Sequence, residues 1–180
     1  MSDALPPARV RLRDVTPGDA DEFDALHRRE HEEGGFNDFG FEPEPVDREA
    51  LARGPLRNEH NGVLLVERIE DGAVIGSVGW RIVRYGPGPA SDAWQFGIDL
   101  VPEARGQGYG AEAQRLLAAR LFETTGVNRV EASTDIDNVA EQRSLEKAGF
   151  TREGVVRGAQ FRAGGYHDLV LYGKLRGDPV

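Results

Sequence analysis

The chain has 180 residues, of which 39% are hydrophobic and 29% charged, as expected for one globular domain with a buried core. Its formal net charge of −9 argues against a nucleic-acid partner. The absence of cysteine excludes disulfides and thiolate catalysis. No apolar run is long enough to span a membrane, and residues 1–7 lack the apolar core of a signal peptide. We therefore expect a single cytoplasmic domain over residues 1–180, with flexible ends at 1–7 and 177–180.

The first third of the chain predicts one strand, two helices and a loop. Residues 8–14 alternate apolar and basic side chains, which is typical of a half-exposed strand. Thr16-Pro17 opens a helix that Gly34-Gly35 ends. Residues 36–45 are rich in Phe, Gly and Pro and predict a loop, and residues 47–53 predict a short helix.

Three strands follow. Residues 62–69 and 73–84 are apolar runs joined by Glu70-Asp71-Gly72, a good hairpin signal. Residues 93–101 predict a third strand, which Pro102 closes.

The remaining elements alternate helix and strand before a final hairpin. We expect a helix closed by a left-handed Gly126 and a strand over residues 129–134. A helix with Asn138 and Glu141 as its capping pair comes next. Strands over 151–161 and 166–175 complete the order β-α-α-β-β-β-α-β-α-β-β, which predicts an α/β (α+β mixed) fold with helices flanking a mixed sheet.

A glycine-rich stretch from Arg105 to Gly110 lies between the third of these strands and the helix after it. Gly106, Gly108 and Gly110 allow a close backbone approach, and the first N–H groups of the helix favour a negative ligand. The stretch is not a P-loop, because no Gly-Lys-Ser/Thr follows, and its glycine spacing fails the dinucleotide fingerprint. It predicts a cradle for a phosphate or pyrophosphate, with an ordinary glycine-rich turn as the alternative.

The pattern Arg-x-x-Gly-x-Gly, formed by Arg105, Gly108 and Gly110, resembles the coenzyme A-binding motif of the GCN5-related N-acetyltransferases. The stretch from Asn138 to Phe150 is similar to the family's second signature, Asn-x-x-Ser/Ala…Glu-Lys-x-Gly-Phe. The continuation from Glu153 is similar to the branch that acetylates the N-termini of ribosomal proteins. The resemblance covers residues 63–175 and implies a mostly antiparallel sheet, with an acetyl-CoA-binding core over residues 93–150.

The resemblance implies acetyl-CoA as acyl donor and no metal. The loop amides would bind its pyrophosphate, and the strand ending at Val101 would separate from its neighbour to receive the pantetheine arm. Asn138 would contact that arm from the opposite side, or serve only as a helix cap. The implied cofactor contacts are Leu100, Val101, Arg105, Gly106, Gln107, Gly108, Tyr109, Gly110, Ala111, Asn138 and Arg143.

The positions that handle protons in the family carry other residue types here. The two usual base positions hold Gln95 and Gln160, and an amide cannot accept a proton at neutral pH. The family's tyrosine acid corresponds to Leu145, and the branch's serine to Glu141. Asp99 is the nearest remaining carboxylate, so the catalytic candidates are Asp99, Gln95 and Asn138. His31, Tyr166, His167 and Asp168 rank behind them.

The acceptor side is predicted from aromatic and acidic residues. The implied substrate contacts are Phe36, Asn37, Phe39, Phe41 and Trp80. Residues 21–49 hold eleven acidic and three basic side chains, a balance of −8, which favours a cationic acceptor unless this segment is only a solvated surface.

The sequence thus predicts N-acetyl transfer from acetyl-CoA to a small-molecule or protein N-terminal amine, by direct attack in a ternary complex. The alternatives are transfer from another acyl-CoA such as succinyl-CoA, or coenzyme A binding with little turnover. We expect no nucleic-acid or membrane partner. The resemblance also leaves a homodimer open.

Overall fold

A computed structural model describes residues 7–33, 35–36 and 38–179. Its strands and helices have the predicted order: β1 Val10–Asp14, α1 Ala20–Glu33, α2 Arg48–Arg53, β2 Asn61–Arg68, β3 Val74–Arg84, β4 Asp92–Leu100, α3 Tyr109–Thr124, β5 Arg129–Asp135, α4 Val139–Lys147, β6 Thr151–Arg162 and β7 Gly165–Leu175. The strands form one seven-stranded sheet in the order β1-β2-β3-β4-β5-β7-β6. Among the strands of the described residues only β4 and β5 pair in parallel, so the predicted mixed, mostly antiparallel sheet flanked by helices is confirmed.

One face of the sheet packs against α3 and α4. Side chains alternate between the two faces of a strand, and this face receives Leu64, Val78 and Phe96 together with Leu117 of α3 and Leu145 of α4. Burying these side chains supplies the main apolar core.

The other face is covered over only part of its width. Val15, Phe23 of α1, Leu51 of α2 and Leu65 of β2 form a second, smaller apolar cluster there. The same face of β4 and β5 carries mainly polar residues, and it is this part of the sheet that holds the candidate site.

Most helix and strand boundaries predicted from the sequence lie within two residues of those observed, but the predicted C-terminal cap of α3 is wrong. Helix α3 ends with an extended Thr125, whose N–H donates to Leu121 O, and Gly126 does not adopt a positive φ. The predicted turn before β3 is confirmed, since Gly72 has a φ of 74°. The capping pair of α4 is half right: Asn138 Oδ1 accepts from Glu141 N at 3.2 Å, but the Glu141 carboxyl contacts α3 instead.

Candidate active site

The loop before α3 forms a nest of unused backbone N–H groups. Gly106 and Gly108 have φ values of 73° and 85°, and Gly108 is the N-cap of α3. None of the N–H groups of residues 106–111 donates to an acceptor in the described part of the chain. With the helix dipole behind them, these groups fit a diphosphate.

The third glycine of the motif has a different role. Gly110 lies within the first turn of α3 and has no positive φ. A Cβ at this position would lie 3.1 Å from Ser144 Oγ, so Gly110 lets α3 and α4 approach each other. The Tyr109 ring is buried, which leaves only its backbone facing the nest.

Strands β4 and β5 separate immediately below the nest. They pair only at Trp94–Val130 and Gln95–Glu131, so residues 96–100 of β4 have no partner in β5. Two backbone groups among the predicted cofactor contacts already form hydrogen bonds within the protein. Leu100 O accepts from Arg105 Nε at 2.9 Å, and Val101 N donates to Ile75 O at 3.0 Å. The remaining edge of β4 can pair with an extended ligand.

Asp99 lies on this separated part of β4, opposite Ser77 of β3. Burial raises the pKa of Asp99 to about 6, although Arg105 opposes this shift. Ser77 Oγ also lies 3.4 Å from Nε2 of His27 on α1. Burial lowers the pKa of His27, against the effect of Asp24. Asp99 can therefore exchange protons near neutral pH, whereas burial favours the neutral form of His27.

Gln95 forms part of the floor of a cavity of about 390 Å³ on the same face of the sheet. Its Oε1 accepts from Arg81 Nη2 at 2.7 Å and from Arg81 Nε at 3.1 Å, which leaves its NH₂ group for a ligand or a water. The cavity is lined by Gly62, Gly79, Trp80, Arg81, Gln95, Phe96, Gly97 and Ser133. The Trp80 ring itself is buried in the core beneath α3, packed over Gly62.

The sequence did not predict the contacts of two further polar residues, Glu141 and Arg9. Glu141 has a pKa raised to about 8, because it is buried and lies near the negative charge of Asp99, and Gln114 opposes the shift through a hydrogen bond. Its only signal in the sequence is that it replaces the serine of the resembled pattern. Arg9 stacks over the Tyr109 ring at 4.9 Å and donates to Gln107 O at 3.0 Å. Because Arg9 is 98 residues from Gln107 in the chain, no local pattern indicates this contact.

The predicted acceptor loop lies against the turn between β6 and β7. The Arg162 guanidinium lies 5.2 Å from the centre of the Phe36 ring, and Ala163 N donates to Asp38 O at 2.8 Å. Phe39 and Phe41 are exposed and stack on each other. Asn37 lies outside the described residues, as does the side chain of His31.

The remaining candidates lie on the β6–β7 hairpin or on α4. His167 Nδ1 lies 3.4 Å from Oδ2 of Asp135, and Asp168 Oδ1 accepts from Gly158 N at 2.7 Å. Tyr166 is exposed, and Gln160 is the register partner of His167. Arg143 is exposed on α4. Asp99 and Gln95 thus both lie on β4, and Asn138 caps α4 shortly after the end of β5.

Neither a metal site nor a membrane span is found in the part of the chain that the structure describes. No group of three or more His, Cys, Asp or Glu side chains there is arranged to hold a metal ion. No described helix is both long and apolar enough to cross a membrane.

Comparison with known proteins places this geometry in a family. The family model for the acetyltransferase (GNAT) domain matches residues 9–151. The uncharacterized N-acetyltransferase YoaA of Bacillus subtilis is 25% identical over 169 residues, which cover 91% of this chain and 92% of that protein.

Two solved structures share the fold at low sequence identity. The spermidine N-acetyltransferase of Vibrio cholerae, solved with CoA and spermine, has a TM-score of 0.77 and 20% identity, covering 96% of this chain and 98% of that one. The ribosomal-protein-S5-alanine acetyltransferase of Vibrio fischeri has a TM-score of 0.75 and 19% identity, covering 97% of each chain. The chain therefore belongs to the GNAT family of acetyltransferases, and it is an N-acetyltransferase.

Proposed function

We propose that the chain transfers an acetyl group from acetyl-CoA directly to a primary amine held in the same ternary complex. The observation that carries this proposal is the half-buried carboxyl of Asp99, with a pKa of about 6, at the gap between β4 and β5. The free N–H groups of residues 106–111 support diphosphate binding next to that gap. CoA in the spermidine N-acetyltransferase structure supports acetyl-CoA as the donor.

Asp99 is the proposed general base. The amine nitrogen attacks the thioester carbonyl, the C–N bond forms as the C–S bond breaks, and the nitrogen loses a proton to the Asp99 carboxylate. The free edge of β4 supplies backbone donors for the carbonyl oxygen. Gln95 cannot take the proton, so its role is to orient the amine or a water through its NH₂ group.

The acceptor is proposed to be a small-molecule amine or a protein N-terminal amine. A terminal amine with a pKa near 8 is about one tenth neutral at pH 7, whereas a lysine-like amine is neutral about once in 2,500 molecules. A base as weak as Asp99 is therefore better matched to the terminal amine. Two proteins of similar fold are named for the acceptors spermidine and the alanine of ribosomal protein S5. The acceptor assay should therefore include both kinds of amine.

The alternative of CoA binding with little turnover is favoured by one observation: both usual base positions hold amides, Gln95 and Gln160. We would titrate acetyl-CoA calorimetrically, and then measure thiol release with spermidine, an alanine-starting peptide and a lysine side-chain analogue. Binding without thiol release would establish the alternative. Faster release with succinyl-CoA than with acetyl-CoA would reassign the donor.

The role of Asp99 has its own test in the same assay. With an accepted amine, kcat/KM should fall as the pH drops below about 6, because the base becomes protonated. The Asp99→Asn variant should be slower at pH 7.5 by roughly 100-fold, and below pH 6 it should show only the shallower decline that protonation of the amine itself causes. Parental rates in a folded Asp99→Asn variant would remove Asp99 from the mechanism. Intersecting initial-rate plots are expected for a ternary complex.

A further inference from the structure

The open face of β3 and β4 carries three successive pairs of register partners beside the gap between β4 and β5. Their chain neighbours Val78, Trp80 and Phe96 belong to the main core. Because side chains alternate between the two faces of a strand, the three pairs lie on the face opposite α3 and α4. The pairs are Ser77–Asp99, Gly79–Gly97 and Arg81–Gln95.

The middle pair, Gly79 and Gly97, leaves the floor of this surface without side chains. A Cβ at Gly97 would meet no atom within 4 Å, and a Cβ at Gly79 would meet only the backbone oxygen of Gly62, at 3.7 Å. Neither glycine has a positive φ, so the backbone conformation does not require glycine here. The open space belongs to the cavity of about 390 Å³ described above. A ligand can therefore lie flat on the sheet between Asp99 and Arg81.

The Arg81 guanidinium is exposed at the wall of this cavity and is held along one edge by Gln95. Oε1 of Gln95 accepts from Nη2 of Arg81 at 2.7 Å and from Nε at 3.1 Å. A guanidinium has five N–H donors, so both N–H groups of Nη1 and one of Nη2 remain. No acceptor in the described part of the chain takes them. A planar fork of this kind binds a carboxylate or a phosphate through two parallel hydrogen bonds.

The positive charge of Arg81 has no carboxylate partner among the residues that the structure describes. Glu131 of β5, the register partner of Gln95, is buried and already bonded. Its Oε2 accepts from Arg129 Nε and from Tyr85 OH, both at 2.7 Å. The cavity therefore presents a cation that the described part of the protein does not neutralise.

We propose that the acceptor amine carries an anionic group, a carboxylate or a phosphate, which Arg81 binds while Asp99 takes the proton from the nitrogen. The inference rests on the proposed acetyl transfer and names the class of its acceptor. Gln95 is the positioning residue that orients the guanidinium. The acceptor is then a zwitterion, and its ammonium end keeps the positive charge that the acidic balance of residues 21–49 favours.

The spacing along β4 sets the distance between the two ends of the acceptor. Gly97 lies two residues from Gln95, which is about 7 Å along a strand. An amine nitrogen over Gly97 thus has its anionic group about 7 Å away, beside Arg81. An extended dipeptide has this separation between its amine and its carboxylate, whereas the two groups of an α-amino acid share one carbon.

The test uses two pairs of acceptors that differ in the anionic group. Alanylglycine is compared with alanylglycinamide, and aminoethyl phosphate with ethanolamine. Thiol release from acetyl-CoA is measured for the parent, Arg81→Gln and Arg84→Gln. The last variant is the matched control, because it removes the same charge from the same strand, where Arg84 Nε lies 3.6 Å from Asp92 Oδ1.

In at least one pair, the parent should acetylate the anionic member with a kcat/KM at least roughly tenfold above that of the neutral member. Arg81→Gln should lower this ratio by roughly tenfold, through the KM for the amine, because it removes a binding contact. The KM for acetyl-CoA should stay within about twofold of the parent. Arg84→Gln should keep the parental ratio. Comparing ratios between variants cancels the difference in pKa between the two amines, and the pair that shows the preference identifies the anionic group.

Three results overturn the inference: no preference in the parent for the anionic member of either pair, an unchanged ratio in Arg81→Gln, or the same change in Arg81→Gln and Arg84→Gln. Acetylation of no amine would instead contradict the proposed function, and binding then decides on Arg81 by itself. In ¹⁵N-labelled protein, the Nε–H signal of Arg81 is identified by its loss in Arg81→Gln. It should shift with alanylglycine or aminoethyl phosphate and not with their neutral counterparts. No shift with either anionic compound would overturn the inference without any turnover.

Discussion

The Asp99 carboxylate destabilises the folded protein, and its proposed role as general base explains its presence there. A buried carboxylate is disfavoured because it loses hydration, and Arg105 compensates for only part of that loss. Its register partner Ser77 and His27, which lies 3.4 Å from Ser77 Oγ, add polar atoms on this side of the sheet. A side chain that is unfavourable for folding and well placed for proton transfer is typical of an active site.

Asp99→Asn should therefore stabilise the protein at neutral pH. The pKa of Asp99 is raised to about 6 in the folded state, so its ionised form destabilises that state above this pH. We expect a gain of about 1–2 kcal/mol in the free energy of unfolding at pH 7.5, measured by urea denaturation. The gain should shrink as the pH falls from about 6 toward 3, where the parent's carboxyl is mostly protonated in both states. A constant or negative difference would mean that Asp99 is not the buried, destabilised group described here.

At the scale of elements, the acceptor loop depends on the β6–β7 hairpin for its position. Gly35 O accepts from Arg162 Nη1 at 3.3 Å, and Asp38 O accepts from Ala163 N at 2.8 Å. Ala163 has a φ of 47°, and Gly164 follows with 79°. A left-handed alanine costs about 1 kcal/mol, so this turn is strained where it holds the loop.

Substitutions at Ala163 should change stability in opposite directions. Asn tolerates the left-handed region and suits a two-residue hairpin turn before glycine, whereas a β-branched residue does not. We expect Ala163→Asn to raise the free energy of unfolding by about 0.5 kcal/mol and Ala163→Val to lower it by about 1 kcal/mol. Chemical denaturation of both variants checks this. Equal stabilities would show that the turn is not strained at this residue.

Elements were predictable from the sequence where short-range chemistry sets them. Asp47 caps α2 by accepting from Glu49 N and Ala50 N, and Gly72 forms the hairpin turn before β3; both signals lie within a few residues. The contact of Glu141 with Gln114 joins residues 27 apart, and burial of Asp99 depends on packing across strands. These features depend on packing between elements that are distant in the chain, and no local pattern contains them. The prediction that a left-handed Gly126 closes α3 was wrong, because Thr125 already ends the helix in an extended conformation.

At the scale of the whole molecule, the acidic balance of −8 over residues 21–49 is partly neutralised within the structure. Arg48 pairs with Asp21 at 2.8 Å and with Asp24 at 3.2 Å. Glu42 and Glu44 are exposed on the acceptor loop. A negative field beside the cleft would raise the encounter rate of a cationic amine.

Salt should therefore slow the reaction with a cationic acceptor. The screening length falls from about 10 Å at 0.1 M to about 3 Å at 1 M salt, so kcat/KM for such an amine should fall over this range. Replacing Glu32, Glu33, Glu42 and Glu44 by Gln should lower kcat/KM at low salt and flatten its salt dependence. The side chains of the first two lie outside the described residues. The same kcat/KM as the parent at both salt concentrations would identify the segment as a solvated surface.

The most direct measurement follows the acetyl group itself, using carbonyl-labelled acetyl-CoA and an accepted amine. The parent is compared with Gly108→Asp, which places a negative charge in the nest, and with Gly72→Asp, which makes the same change at a similar φ in the turn before β3, outside the nest. For the parent and for Gly72→Asp, we predict that labelled amide and free thiol form at the same rate. For Gly108→Asp we predict at least a roughly tenfold weaker Kd for acetyl-CoA and a matching loss of product. A folded Gly108→Asp protein that binds and acetylates like the parent would contradict the assignment of this cleft.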